Sequence, residues 1–426
     1  GLFYSAFTYY LGFKVNSGEY KVMGLAPYGE PKYKNQIFEN LIQLKDDGSF
    51  SLNMKYFNYE TGFTMITENF TKLFGNPIRE SNQLLTQFHM DVASSIQSVI
   101  EDIVLKICMS IKDDYKIDNL CLAGGVALNC VANGKILKEK IFKNLWIQPA
   151  AGDAGGSLGA ALGYWHQDLN MDRKVENEDK MKGSYLGPRY NNEEIQKNLN
   201  SLNARYHKKS DDEIFKETSY HLKNNKTVGW FQGRMEFGPR ALGCRSILGN
   251  PLSEKMQKEL NLKIKFRESF RPFAPSILNE EVSNWFKTEE KSPYMLLVAD
   301  VKKDKRRAMT AQEEALFGID KLNVIRSSVP AVTHVDYSAR IQTVHSNTNY
   351  LYYAMISKFK EKTGYPLIVN TSFNVRGEPI VCTPTDAFKC FMGTELDILA
   401  VGNFLLIKEQ QNEIVRKNYK NFYELD

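Results

Sequence analysis

A strand, a glycine turn and a helix follow one another twice along the chain, and this repeat constrains the fold more than any other feature. Residues 119–138 give the first copy, with a buried strand predicted over 119–123, a turn at Gly124 and Gly125, and one helix continuing to residue 138. Residues 145–166 give the second copy, around the turn AAGDAGG. Such repeats are typical of α/β domains, whose ligands bind at the strand ends. The sequence therefore predicts an α/β fold.

The other periodic segments divide the chain into two halves. Residues 81–113 place apolar side chains three and four positions apart, which predicts a long amphipathic helix with Ser81 or Asn82 as its N-cap. Residues 168–185 are charged and aperiodic, which favours an inter-domain linker. The second half is predicted to be another mixed α/β domain, with helices over 211–224 and 385–392 and strands over 227–232, 366–369, 397–401 and 404–408.

Composition excludes several classes of protein. The net charge is only +5 with 25% charged residues, which does not predict nucleic-acid binding, and no apolar run reaches the length of a membrane span. The six cysteines form no CxxC pair, so neither a disulfide framework nor a zinc site is expected. Buried free thiols indicate a reducing compartment, and we expect the cytoplasm. Because Gly1 opens directly into an apolar segment, we expect further residues upstream.

The two glycine turns are the first candidate ligand sites. Gly124 and Gly125 would let backbone N–H groups approach an anion, and Asn129 could hydrogen-bond a nucleoside; the alternative is a tight turn before a capped helix. Asp153 stands where the second turn meets its helix. Its carboxylate could cap that helix or bind a metal ion.

Two cationic segments of the second half are candidates for phosphate binding. Residues 232–245 hold three arginines in a glycine-rich setting, and the alternative is a surface turn whose arginines face water. In residues 265–275 the cations Lys265, Arg267 and Arg271 interleave with phenylalanines. That alternation suits a strand with cations on one face, or a surface on which nucleic-acid bases stack. We favour a polyphosphate pocket, because partly desolvated charged hydrogen bonds are worth about 1.5–3 kcal/mol each.

A predicted strand near residue 369 ends in a dense polar cluster. We expect its hydrogen-bonding groups to be satisfied either by a bound ligand or by one another within a turn. The cluster consists of Asn370, Thr371, Ser372, Asn374 and Arg376. His334 lies with Asp336 and Arg340 in another polar stretch and is a candidate for substrate contact. No Ser-His-Asp arrangement, HExxH or Walker A sequence is present.

Taken together, these segments resemble the NodU/CmcH family of carbamoyltransferases. The matching stretches are SAFTYYLGFKVNSGEYKVMGLAPYG, LAGGVALNCVANGKI, IQPAAGDAGGSLGAAL, GRMEFGPRALGCRSIL, KFRESFRPFAPSI, THVDYSARIQTV and NTSFNVRGEPIV. They cover nearly the whole chain in the family's order. The resemblance implies an actin/sugar-kinase-like (ASKHA, threonylcarbamoyl-transferase-type) domain over 1–175, incomplete at its N-terminus, a linker over 176–186 and a YrdC-like domain over 187–426.

The resemblance also implies an activity. The YrdC-like domain would form carbamoyl-adenylate from carbamoyl phosphate and ATP, and the first domain would transfer the carbamoyl group to a hydroxyl of a small-molecule or saccharide acceptor. The implied cofactors are ATP as co-substrate and a divalent metal, Fe²⁺, or Mg²⁺ with ATP. No nucleic-acid or membrane partner is expected, and a homodimer is left open. The alternatives are a threonylcarbamoyl-type tRNA-modifying enzyme and a non-catalytic nucleotide-binding protein.

The family's functional residues carry over by position. Lys265-Phe-Arg267 and Ser372-Phe-Asn374 look like the KxR and SxN elements of the YrdC-like fold. Arg240 and Arg271 would hold phosphates beside them, and Lys265, Arg271, Arg240 and Ser372 are the implied catalytic residues. In the first domain Gly124, Gly125 and Asn129 would bind the adenylate, Glu19 and Lys21 would line the same cleft, and Asp153 would bind the metal. The family's metal-binding histidines lie upstream of these stretches, and this chain has no HxxxH pair.

Overall fold

The computed structural model describes residues 1–176 and 179–412. Its helices are α1 Leu2–Tyr10, α2 Glu19–Leu25, α3 Lys34–Asn40, α4 Glu68–Phe74, α5 Gln87–Tyr115, α6 Cys130–Lys138, α7 Gly155–Gly163, α8 Asn192–Ser201, α9 Asp211–Lys223, α10 Met256–Glu259, α11 Val282–Trp285, α12 Ala311–Glu314, α13 Tyr350–Thr363 and α14 Pro384–Gly393. Its strands are β1 Ile42–Leu44, β2 Phe50–Leu52, β3 Asn119–Leu122, β4 Asn144–Ile147, β5 His207–Lys208, β6 Val228–Phe231, β7 Arg245–Gly249, β8 Ala274–Leu278, β9 Leu297–Asp300, β10 Ser338–Val344, β11 Leu367–Ser372, β12 Ile398–Val401 and β13 Phe404–Ile407.

Contacts between residues divide the chain into two compact units. Unit 1 comprises Gly1–Gln148 and Ala308–Val324, and unit 2 comprises Pro149–Arg307 and the described residues from Ile325 onward. Residues 168–185, predicted as a linker, form a 3₁₀ turn near their C-terminal end at Lys182–Ser184. The backbone N–H of Phe237 donates to the carbonyl of Ser184 at 2.7 Å. This end of the segment is therefore part of unit 2. The family-domain boundaries at 175 and 187 stay a prediction.

Unit 2 is built on a sheet that, within the described residues, has nine strands in the order β5-β13-β12-β6-β7-β11-β8-β10-β9. Most neighbouring strands are antiparallel, while β12 with β6 and β10 with β8 are parallel. Strand β11 lies between β7 and β8, although β7 and β8 are successive along the chain. The α/β class predicted from the sequence is therefore confirmed, and unit 2 contains a large sheet with both parallel and antiparallel strands.

Alternation along the central strands gives this sheet two apolar faces. In β12, Ile398 and Ala400 belong to one core cluster, whereas Leu399 and Val401 belong to the other. A strand buried on both faces needs cover on both sides, because successive side chains point in opposite directions. Helices α9 and α13 cover one face, and α8, α10 and α14 contribute to the other. Unit 2 is therefore a helix–sheet–helix sandwich.

Unit 1 is organised around the 29-residue helix α5. Its buried side chains include Val92, Ile96, Val99 and Ile103, so the predicted apolar face is confirmed. Both strand–turn–helix copies form, and β3 pairs with β4 in a parallel two-stranded sheet. None of the helices in the described part of the chain combines the length and the apolar character that crossing a bilayer requires.

Several local predictions were wrong. The N-cap of α5 is Thr86, not Ser81 or Asn82, because Thr86 forms a reciprocal capping box with His89. Strand β3 is not buried, since its residues alternate between exposed and half-buried. The helix after Gly125 is interrupted at Asn129, which ends one 3₁₀ turn and caps α6.

Two further corrections concern a predicted strand and a cysteine. Residues 265–273 are not a strand but a loop between a π-helical turn, Leu260–Ile264, and β8. Phe266 adopts the left-handed conformation with φ of 49°, which a strand does not allow. Cys121 is exposed, whereas Cys108, Cys130, Cys244 and Cys390 are buried as expected.

Candidate functional site

Strand pairing brings four distant segments of unit 2 to one edge of its sheet. Because β11 is antiparallel to both β7 and β8, its end at Ser372 lies beside the start of β7 and near the start of β8. Strand β10 is parallel to β8, so the residues before both strands are at that edge as well. We call this edge, formed by residues 232–245, 265–274, 333–340 and 370–378, the site edge.

The ammonium group of Lys265 is the centre of the site edge. It is 3% exposed and donates to the carbonyl oxygens of Ser372 and Asn374, both at 2.7 Å. It also contacts Ser372 Oγ at 3.2 Å and Asn374 Oδ1 at 2.6 Å. Burial and the nearby guanidinium of Arg267 hold the pKa of Lys265 well below the ordinary value for lysine. The two predicted sequence elements therefore contact each other directly.

The turn after β11 is stabilised by its own hydrogen bonds. Ser372 Oγ donates to Asn374 Oδ1 at 2.7 Å, and Asn374 Nδ2 donates to the carbonyl of Glu378 at 2.6 Å. The Glu378 carboxylate accepts the backbone N–H of Val375 at 2.8 Å. The polar cluster thus has partners within the protein, which favours the self-satisfied turn for these atoms.

Asn370 is a buried strand residue rather than a member of the turn. Its Nδ2 lies 3.1 Å from the carbonyl of Ala241, 3.0 Å from Ser276 Oγ and 2.9 Å from Gln342 Oε1. Its Oδ1 is buried and has no hydrogen-bond partner among the described residues. Thr371, its neighbour, is half-buried. Asn370 therefore fixes the loop that carries Arg240 to the sheet.

Two arginines of the site edge share one carboxylate. Arg271 Nη1 lies 3.6 Å from Glu268 Oε2, and Arg376 Nη1 lies 3.6 Å from Glu268 Oε1. Arg271 is buried, while Glu268 and Arg376 are half-buried. Nearby, Arg267 Nε donates to Asn261 Oδ1 at 2.7 Å, and its guanidinium lies over the ring of Phe273. The site edge is strongly cationic, and Glu268 contributes negative charge at its centre.

Residues 236–245 form a loop that is fixed at many of its peptides. The buried Glu236 Oε1 accepts the N–H groups of Leu242 at 2.6 Å and Cys244 at 2.8 Å. The carbonyl of Leu242 accepts Gln342 Nε2 at 2.8 Å, and Gly243 has a φ of 101°. This rigid loop presents the half-buried Arg240 next to the Ala241 peptide that Asn370 binds.

His334 lies just before β10, on the same site edge. Its backbone N–H donates to the carbonyl of Ser338 at 2.9 Å, and its Nδ1 is 3.5 Å from Asp336 Oδ1. The imidazole is buried, and Asp336 Oδ1 also accepts Ser338 Oγ at 2.6 Å. The carboxylate of Asp336 therefore orients both the loop and the imidazole.

Among the predicted site residues of unit 1, Asn129 belongs to a buried polar chain. Tyr4 donates its hydroxyl proton to Gln97 Oε1 at 2.9 Å, and Gln97 and Asn129 pair through their side-chain amides at 3.1 and 3.2 Å. Burial and nearby carboxylates, including Glu19, raise the pKa of Tyr4 well above its ordinary value. Asn129 Oδ1 also accepts the N–H of Ala132 at 3.1 Å. Asn129 therefore caps α6, which is the alternative to a ligand contact that the sequence left open.

The other predicted residues of unit 1 differ in exposure. Glu19 Oε1 accepts Ser5 Oγ at 2.7 Å, and Lys21 is buried with its ammonium 5.7 Å from the ring centroid of Phe13. Gly124 has a φ of 95°, and a Cβ on either Gly124 or Gly125 would meet no atom within 4 Å. The glycine turn is therefore open on the side where a side chain would stand.

The described residues do not assemble a metal site around Asp153. Its side chain is exposed and does not cap α7, whose N-cap Ala154 has no side-chain hydrogen bond. Among residues 1–176 and 179–412, no group of three or more histidine, cysteine or carboxylate side chains is placed to hold a metal ion. A single exposed carboxylate is a weak ligand for iron, which favours histidine partners as well. The residues present do not fit the implied metal.

Sequence reasoning missed the carboxylates of the site edge. Glu236, Glu268 and Glu378 each bind a group of that edge, and each lies inside a segment singled out for its cations or amides. One signal was available, because an acidic residue between the basic residues Lys265 and Arg271 indicates an ion pair if the segment is buried.

The chain is a mixed α/β protein with several cationic side chains at one edge of its large sheet, and comparison with known proteins is more specific. The family model described as Carbamoyltransferase N-terminus matches residues 1–162, and the one described as Carbamoyltransferase C-terminus matches residues 219–408. The chain belongs to the carbamoyltransferase family, so the predicted family and the general transfer of a carbamoyl group are confirmed.

Three similar proteins support this assignment. An uncharacterized protein of Synechocystis sp. is 57% identical over 429 residues, covering 100% of this chain and 70% of its own length. Nodulation protein NolO of Bradyrhizobium diazoefficiens is 37% identical over 412 residues, covering 96% of this chain and 69% of its own length. Nodulation protein NolNO of Sinorhizobium fredii is 36% identical over 428 residues, covering 96% of this chain but only 55% of its own length.

Proposed function

We propose that the site edge of unit 2 binds ATP and forms carbamoyl-adenylate, and that the carbamoyl group then passes to an acceptor hydroxyl. The observation that carries the proposal is the contact of Lys265 with both Ser372 and Asn374, next to Arg271 and Arg376. Four sequence segments converge there to place cations in a partly buried setting, where charge-assisted hydrogen bonds to phosphate are strongest. ATP dependence and the adenylate go beyond what family membership supplies.

The proposed chemistry balances in three steps. Water hydrolyses carbamoyl phosphate to carbamate and inorganic phosphate. A carbamate oxygen attacks the α-phosphorus of ATP, the bond between that phosphorus and the α–β bridging oxygen breaks, and pyrophosphate leaves. The acceptor hydroxyl then attacks the carbamoyl carbon, losing its proton as AMP departs. The second step places new negative charge on the departing pyrophosphate.

The residues of the site edge suit that second step. Lys265, Arg271 and Arg240 would neutralise pyrophosphate as it leaves, which is the electrostatic stabilisation that fixed cations supply without reorganisation. Arg267 and Arg376 would hold further phosphate oxygens, and their guanidinium groups can bind two oxygens at once. Ser372 and Asn374 fix the position of the Lys265 ammonium. His334 would contact the carbamoyl substrate from the neighbouring strand.

Unit 1 is the proposed location of carbamoyl transfer. The open turn at Gly124 and Gly125 would admit the adenylate, with Asn129, Glu19 and Lys21 beside it. On this proposal residues 1–175 are the ASKHA-type part and residues 187–426 the YrdC-like part. A metal at Asp153 would require ligands beyond the described residues, and no step is routed through it. The acceptor is a hydroxyl-bearing small molecule or saccharide, and the cytoplasm is the proposed location.

Pyrophosphate release tests the proposal. The chain should release pyrophosphate only when both ATP and carbamoyl phosphate are present, and Lys265→Met should reduce the rate by at least about 100-fold, the scale of one lost charge-stabilising donor. Lys263→Met is the matched control, because Lys263 is exposed and two residues away. Its rate should stay close to that of the original chain.

Three outcomes would contradict the proposal. If Lys265→Met keeps its rate, Lys265 has no part in the reaction. If release depends on threonine and bicarbonate in place of carbamoyl phosphate, the threonylcarbamoyl alternative is correct. If ATP binds with no product formed under any condition, the non-catalytic alternative is correct.

A further inference from the structure

We infer that the carboxylate of Glu268 occupies the place of a substrate phosphoryl group between Arg271 and Arg376 and is displaced when that group binds. The inference rests on the proposed function, since it concerns the same cations. It adds a residue that would set the affinity and selectivity of the site without contacting the reacting atoms. Glu268 is a positioning residue in this sense.

The geometry of the ion pairs between Glu268 and the two arginines supports displacement of its carboxylate. Each oxygen of the Glu268 carboxylate faces a different arginine, at 3.6 Å in both cases. Charge-assisted N–H···O bonds are normally about 2.7–2.9 Å long. Both pairs are thus held at ion-pair distance but are longer than good hydrogen bonds. A phosphoryl group can take over such a bridging position, because it also presents separate oxygens to the two guanidinium groups.

The surroundings make the position suitable for a phosphoryl group. The Arg271 side chain is 10% exposed and the Arg376 side chain 19% exposed, so two cations would face each other in a poorly hydrated place if no anion lay between them. Glu268 relieves that repulsion, because its carboxylate lies between the two guanidinium groups. A phosphoryl group brings more negative charge and a third oxygen, and it can bind both guanidinium groups at once.

Competition of this kind also gives selectivity. A weak or singly charged anion gains little over the carboxylate it must displace, whereas a polyphosphate gains enough to take its place. Glu268 would therefore exclude common small anions from the site edge while admitting the substrate. Removing its charge should strengthen the binding of anions in general and reduce the discrimination among them.

Titration calorimetry with inorganic pyrophosphate tests the inference. Glu268→Gln keeps the size of the side chain and removes the competing charge, and it should tighten binding by about two- to fivefold, the range that a partly exposed ion pair is worth. Glu289→Gln removes one negative charge from an exposed loop position and should leave the affinity unchanged. Inorganic phosphate should gain proportionately more than pyrophosphate.

A double-mutant cycle separates displacement from a general change of charge. In the Arg376→Gln background one partner of Glu268 is absent, so the gain from Glu268→Gln should shrink. Equal gains in both backgrounds would show only a field effect and would overturn the inference. Unaltered affinity in Glu268→Gln, with thermal unfolding unchanged, would overturn it as well.

The same titrations keep the two proposals distinguishable. If the original chain binds pyrophosphate and Lys265→Met does not, the phosphate site stands, and an unresponsive Glu268→Gln refutes only the displacement. If the original chain binds neither ATP nor pyrophosphate, both proposals fail together. Running ATP and freshly prepared carbamoyl phosphate in parallel identifies the source of the phosphoryl group, because only the ligand that binds between the arginines should respond to Glu268→Gln.

Discussion

Arg245 and Arg234 come from one glycine-rich segment but have opposite environments. Arg245 is fully buried, with its Nη1 donating to the carbonyls of Gln232 at 3.1 Å and Cys244 at 3.0 Å and its Nη2 to that of Pro188 at 3.2 Å. Arg234 is exposed. Neither environment could be predicted from the sequence, because glycine-rich arginine segments serve phosphate binding and backbone bracing equally well. The sequence thus shows where the arginines are, but only the tertiary structure shows which of them is buried and binds the backbone.

This difference predicts unequal effects on stability. Arg245→Lys keeps the charge but cannot reach the same carbonyls with a planar fork, and it should lower the free energy of unfolding by about 2–4 kcal/mol through buried acceptors left without donors. Arg234→Lys is the matched control and should change it by less than about 0.5 kcal/mol. Urea denaturation of both variants measures the difference. Equal stability would mean that the carbonyls around Arg245 find other donors.

At the scale of elements, local patterns predicted much of the sheet. Strands β6, β12 and β13 and helices α9 and α14 lie within one or two residues of their predicted positions, because alternation and helical periodicity are properties of a short window. Residues 265–273 alternate cations and aromatics as a strand would, yet their backbone follows long-range contacts, including those of Lys265 with Ser372 and Asn374. No short window contains those contacts.

The start of α5 leads to a pH-dependent prediction. The backbone N–H of Thr86 donates to Nδ1 of His89 at 3.0 Å, which requires a neutral ring nitrogen. Burial, with a smaller effect of Arg79, lowers the pKa of His89 to about 4. The unfolded chain therefore takes up this proton near its ordinary value of 6.5, before the folded chain does. The stabilisation is complete above pH 6.5 and is lost as the pH falls from 6.5 towards 4.

A substitution isolates this contribution from other titrating groups. His89→Gln keeps an acceptor at the third helical position and removes the titration, so its stability should fall less than that of the original chain between pH 7 and pH 4.5. Exposed His207→Gln should follow the original chain. The measurement is the denaturation midpoint of the three proteins across this range. Parallel curves for the original chain and His89→Gln would contradict the role of His89.

At the scale of the whole molecule, the sequence indicated which residues matter but not how they meet. The resemblance to a family supplied Lys265, Arg271 and Ser372, and the structure brings Lys265 and Ser372 into contact. Strand order could not be predicted, because the position of β11 between β7 and β8 depends on pairings 90 or more residues apart. The contact of Glu268 with Arg376 could not be predicted for the same reason, since the two residues come from distant segments.

Hydrogen exchange can follow the proposed order of events through both units. ATP alone should slow amide exchange in residues 265–273 and 372–378 of unit 2 and leave residues 124–129 of unit 1 unchanged. Adding carbamoyl phosphate should extend protection to the glycine turn, because only then would an adenylate exist to bind there. Mass spectrometry of peptides measures both segments, and Lys265→Met should show neither effect. Protection of residues 124–129 by ATP alone would contradict this order.

The central position of β11 also has a consequence during synthesis. Strands β7 and β8 leave the ribosome some 90 or more residues before the strand that must separate them, so they wait without their shared neighbour. A nascent chain that ends before residue 367 can neither close the middle of the sheet nor give Lys265 its acceptors in Ser372 and Asn374. If the proposed function is correct, nucleotide binding should therefore wait until β11 has been translated.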